Sequence, residues 1–87
     1  MKQASVADLA RRIKEVSKSS PLGPRVHQVE VEAEDSVEGG AFLRVLLRFD
    51  HPDDLDWAQA EPLVRSIEDA VAELDERFAS VRFADAA

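Results

Sequence analysis

The hydrophobic period changes three times along the chain, and this order of changes limits the folds open to it. Val6, Leu9, Ala10, Ile13 and Val16 recur at three- and four-residue steps, the spacing of one helix face. From Val29 the period becomes two: Val29, Val31 and Ala33 alternate with Gln28, Glu30, Glu32 and Glu34. The segment Phe42–Asp50 keeps that period, with Leu43, Val45, Leu47 and Phe49 on one side and Phe42, Arg44, Leu46 and Arg48 on the other. The helical period then returns through Leu63, Val64, Ile67, Ala70, Val71, Leu74 and Phe78. A last short alternation puts Val81 and Phe83 on one strand face. The predicted order is α-β-β-α-β, an α+β two-layer sandwich with two helices on one face of a three-stranded mixed sheet. The alternation does not say whether the last strand lies beside the first or the second.

Local signals set the boundaries. Ser5, followed three residues on by Asp8, is a variant of the capping box that opens the first helix. The stretch Ser17–Arg25, with two prolines, a glycine and three serines, ends it. Gly39-Gly40 marks a hairpin turn between the first two strands, whose pairing sets glutamates against arginines. Pro62 leaves two starts for the second helix. One is near Asp56, with Trp57 and Ala60 extending the apolar stripe, and the other is near Glu61 with proline in the first turn. The spacing favours the earlier one.

At 87 residues the chain is expected to be a single domain, 1–87. It has no cysteine, which removes disulfides and thiolate chemistry. No apolar run approaches the ~20 residues of a membrane span, and no signal-peptide core is present, so a cytoplasmic protein without membrane contact is expected. Residues 1–29 hold six basic and two acidic groups, net +4; the remainder hold five basic and sixteen acidic, net −11. An acidic chain is a poor match for phosphate backbones, so no nucleic acid is expected despite the stripe Arg11, Lys14, Lys18, and a basic protein is the more natural partner. Arginine in excess of lysine and abundant alanine suggest a bacterial source.

The densest functional-looking stretch is Phe49–Trp57, with Asp50, Asp53, Asp54, Asp56 and His51. A turn followed by an Asp56 cap accounts for most of these residues, and the spacing is not that of a calcium loop. His27, in phase with Val29 and Val31, is predicted on or beside the apolar face. Neither a glycine-rich phosphate loop nor a nucleophile-elbow serine is present, so no enzyme is expected. Phe42 and Leu46 on an otherwise charged strand face, with Arg44 and Arg48, are the candidate interface.

The segments "RVHQVEVE", "LRVLLRFD" and "IEDAVAELDERFASVRF" resemble the cytoplasmic C-terminal domain of cation diffusion facilitator transporters. The likeness lies in Val26-His27 at the first strand, in Ile67-Glu68-Asp69-Ala70, and in Arg77-Phe78. It implies a metallochaperone-like, ferredoxin-like fold that dimerises. It also implies candidate metal ligands at His27 and Asp85, to which the acidic turn adds His51, for zinc or manganese. The chain departs from the family where Glu61 and Arg82-Phe83 stand in place of histidines. The leading expectation is a non-enzymatic interaction module, either a homodimer or the acidic subunit of a two-protein system of antitoxin or immunity type, with no cofactor. The alternative is a divalent-metal-responsive regulatory domain.

Overall fold

A computed structural model describes residues 3–38 and 40–86. The elements are α1 (Val6–Lys18), β1 (Val26–Asp35), β2 (Ala41–Phe49), α2 (Trp57–Leu74) and β3 (Phe78–Asp85), with single 3-10 turns at Gly23–Arg25 and Pro52–Asp54. The expected α-β-β-α-β order holds. Both helices pack on one face of a three-stranded sheet ordered β1-β2-β3, with β1 antiparallel and β3 parallel to β2. The last strand therefore lies beside the second. Two ring contacts hold it there: Phe83 meets Phe49 edge-on at 5.2 Å inside the core, and Phe78 stacks on Phe42 at 5.4 Å outside it. Each such pair contributes about 0.5–1.5 kcal/mol beyond burial, and both partners are on β2.

Ser5 caps α1 by accepting from the Asp8 N–H, and Asp8 pairs with Arg11 one turn on. Leu9 and Ile13 are fully buried, as their spacing requires. They pack against Leu43, Val45, Leu47 and Phe49 of β2 and Ile67 of α2, which form the centre of the core. α2 starts at the earlier of the two predicted points: Asp56 is its cap and accepts from the Ala58 N–H, with Pro62 inside the helix. The Gly39-Gly40 turn is partly outside the described residues. At its edge Ser36 N–H donates to the Gly40 carbonyl and Gly40 N–H to Ser36 Oγ.

Two expectations change. The helical period runs on to Phe78, but α2 ends at Leu74. Asp75 leaves the helix at φ −150° and ψ 146°, and its carboxylate accepts from the Arg77 backbone and guanidinium and from the Ala4 N–H. An aspartate that satisfies the backbone two residues on competes with helix continuation. Phe78 consequently opens β3 and is 64% exposed. The second change is at His27. The register slips by one residue between Val26 and Gln28, a bulge that puts Val26 rather than His27 into the core.

Ser17 is fully buried on α1, and its Oγ has no hydrogen-bond partner among the described residues. A buried hydroxyl without a partner is a net cost, and alanine is the better helix former. Ser17→Ala is expected to stabilise the domain by about 1 kcal/mol, raising Tm by about 4–8 °C in a domain this size; calorimetry checks it.

Candidate functional site

The sheet has two faces and the helices cover only one. On the open face the register lines up three columns of side chains: Gln28, Glu30, Glu32 and Glu34 from β1; Phe42, Arg44, Leu46 and Arg48 from β2; and Phe78, Ser80, Arg82 and Ala84 from β3. All four candidate interface residues thus share one surface. The predicted glutamate–arginine pairing exists but runs diagonally: Arg48 Nε lies 2.7 Å from Glu30 and Arg44 3.4 Å from Glu34. Arg48 also reaches the Asp85 carbonyl. Glu32 and Arg82 form no ion pair among the described residues. The stacked Phe42–Phe78 pair closes one end of this face and the Arg48 pair the other. Phe78 and Arg82 belong to the surface, and helical periodicity hid the first of them. The alternation Phe78, Ser80, Arg82 against Ala79, Val81, Phe83 was the available signal.

The other candidate residues gather at the end of the sheet where β2 leaves. His27 Nε2 lies 2.6 Å from an Asp50 carboxylate oxygen, both side chains half exposed. This hydrogen bond is the main cause of a lowered Asp50 pKa, reinforced by the nearby His27, His51 and Arg25 charges and opposed by partial burial. Arg25 donates to the carbonyls of Asp50 and His51, clamping the turn. His51 takes a left-handed conformation, φ 52°, at the mouth of the Pro52–Asp54 turn. Asp85 sits opposite Phe49 on the far side of β2 from His27, a hydrogen-bonded neighbour of this corner but two strands away from the imidazole. The structure brings His27 to Asp50 rather than to Asp85. Among the described residues no group of three or more histidine, aspartate or glutamate side chains is placed to hold a metal ion. Asp53 and Asp54 lie in the 3-10 turn and Asp56 is the α2 cap, the structural roles that the turn reading assigns them.

No protein family and no curated protein matches the chain by sequence. Solved structures do match by fold. The MamM C-terminal domain carrying aspartate-to-alanine and histidine-to-alanine substitutions superposes with a TM-score of 0.54 over 93% of this chain and 94% of its own, at 17% identity. A valine-to-arginine variant of MamM gives 0.52 over 97% of this chain and 88% of its own, also at 17% identity. The fold resembles that of the cation diffusion facilitator C-terminal domain. No helix among the described residues is long and apolar enough to cross a membrane.

Proposed function

We propose that this chain is a non-enzymatic regulatory interaction domain, built like the cytoplasmic domain of a cation diffusion facilitator and acting as a homodimer through its open sheet face. The observation that carries the reading is the self-complementary pattern of that face. A two-fold axis along β2 sets β1 of one copy over β3 of the other. The glutamate column then meets the second copy's Arg82, Phe42 and Leu46 of the two copies meet along the axis, and Phe78 lies over the second copy's β1. An isologous interface needs this kind of pattern, with the same patch serving both copies. Glu32 and Arg82, which have no ion-pair partner among the described residues, gain one across the axis. The Phe42→Ser/Leu46→Ser double variant is expected to be monomeric with its helical circular dichroism unchanged, as read by light scattering after gel filtration. Association equal to wild type would remove this face from the account.

A second reading, response to a divalent metal, is supported by the fold likeness and by the His27–Asp50 pair. Two ligands already 2.6 Å apart are a start for a site, but the remaining ligands have to come from movement of His51 or Asp85 or from a second copy. Zinc or manganese is then expected to raise Tm, and His27→Ala to cancel the rise. A Tm that stays flat with both metals rules the reading out.

A further inference from the structure

A small hollow lies at the start of β1, the edge strand that packs against α1. It is lined by Lys14, Lys18, Val26, His27, Gln28 and Val29 and has a volume of about 140 Å³. At about 30 Å³ per water, that is room for about five water-sized groups. A whole organic ligand needs more space, but a phosphate group, one phosphorus and four oxygens, fits. The charges on the wall have one sign. Lys14 and Lys18 stand one helical turn apart on α1, and no carboxylate residue lines the hollow. Among the described residues neither lysine forms an ion pair, whereas Arg11, Arg12, Arg44, Arg48, Arg65 and Arg77 each face a carboxylate. Two like charges at this spacing weaken a helix. In a chain with 18 acidic groups against 11 basic ones, leaving both uncompensated is a local conflict of the kind found at functional sites.

The position of one ammonium is fixed. Lys18 Nζ donates to the Val26 carbonyl at 2.6 Å and to the Gly23 carbonyl at 3.4 Å. Both partners are neutral, and the third N–H is left for a ligand. His27 stands on the same wall because the bulge leaves it out of the pairing with β2. Asp50, which holds the imidazole at Nε2, is not a lining residue, and the Arg25 charge beside it offsets part of its own. The chain's net charge of −7 acts weakly here, since exposed charges more than about 8 Å away are largely screened at physiological ionic strength. We infer that this hollow binds a phosphate group, carried by the free ion or by a phosphate monoester, with Lys14 and Lys18 donating to its oxygens. The hollow is at the edge of β1 and does not include Phe42 or Leu46, so this inference and the dimer stand or fall separately.

Inorganic phosphate, O-phosphoserine and chloride are each titrated into the full chain at constant ionic strength, with the amide resonances of Lys18, His27 and Gln28 followed by NMR. A chelator is present throughout, which keeps any divalent metal at His27 out of the response. Phosphate and O-phosphoserine are expected to give saturable shifts at these three amides, with affinity about tenfold or more above that of chloride. Tighter binding of O-phosphoserine assigns the site to a monoester, and tighter binding of inorganic phosphate assigns it to the free ion; both orders support the inference. Lys14→Gln, which removes an exposed cation without touching the Lys18 contacts, is expected to weaken binding by about fivefold, and Lys14→Arg to restore it. Arg65→Gln removes the same charge from α2 and is expected to leave the affinity unchanged, as is Phe42→Ser/Leu46→Ser. The inference is overturned by chloride shifts equal to those of phosphate, by no saturation with either phosphate at about 50 mM, or by equal losses in Lys14→Gln and Arg65→Gln.

Discussion

Asp75→Asn is expected to lower stability by about 2–4 kcal/mol, the range for removing one member of a buried, hydrogen-bonded charge pair. Asp75 is 2% exposed and carries four hydrogen bonds, from the Arg77 N–H, Nε and NH2 and from the Ala4 N–H. Arg77 in turn donates to the Ala4 carbonyl. This one side chain therefore ends α2, starts β3 and fastens the segment before α1 to both. Asparagine keeps the shape, but it removes the charge facing Arg77 and turns an acceptor into a donor facing N–H groups. The guanidinium keeps some access to water, which is why the lower part of the range for buried pairs applies. In a domain of this size the fall corresponds to a Tm drop of about 10–20 °C.

The same group sets the acid limit of the fold. The Arg77 hydrogen bonds, with the Arg77 and Ala4 backbone N–H groups, hold the Asp75 carboxyl well below the usual carboxylate range, against the opposing effect of burial. A carboxyl whose folded pKa is depressed stabilises the protein above its unfolded value. That contribution is complete at neutral pH and is lost as pH falls below about 4. Wild type is expected to lose stability steeply with acidification in this window, and Asp75→Asn to show a flatter profile. Parallel acid profiles for the two proteins would assign the acid transition to other groups.

Gly23→Ala is the second large effect, about 2–3 kcal/mol by overpacking against rigid backbone. A Cβ on Gly23 would collide with the Lys18 carbonyl group and lie 2.9 Å from the Lys18 Cα. These are backbone atoms of the last turn of α1, and they are held in place: the Lys18 ammonium bonds the Val26 carbonyl at 2.6 Å and the Gly23 carbonyl at 3.4 Å. The turn cannot yield without moving α1 off the sheet. Gly40→Ala is the control. Among the described residues its Cβ would meet only Ser36 Oγ at 3.8 Å, an ordinary contact, so a change within about 0.5 kcal/mol is expected. Chemical denaturation of the two variants side by side gives both values, and equal losses would contradict the steric explanation.

What the sequence revealed and what it hid divide along the range of the interactions. Ser5 and Asp56 act on N–H groups two or three residues away, so both caps were legible. The alternation in Phe42–Phe49 placed Arg44 and Arg48 with Phe42 and Leu46 on one face for the same reason: side-chain period is local geometry. The end of α2 was not legible, because Leu74 and Phe78 fit a helical step as well as a strand start. The decision rests on Asp75, whose partner Ala4 is 71 residues away. His27 was misplaced because a bulge shifts phase without any glycine or proline to announce it. The place of β3 beside β2 depends on Phe49 and Phe42 receiving Phe83 and Phe78, contacts that exist only after the chain has folded back. The open face was therefore half visible: its β2 column could be read, and its β3 column was hidden at Phe78, where the helical period also fits.

Sedimentation equilibrium of the wild-type chain over a concentration series, at low and high salt, tests the central claim most directly. The account predicts a monomer–dimer equilibrium with a limiting mass twice that of the chain, weakened by salt because glutamate–arginine pairs cross the axis, and abolished in Phe42→Ser/Leu46→Ser. A wild-type chain that remains monomeric at every concentration, or a dimer untouched by the double variant, would contradict it.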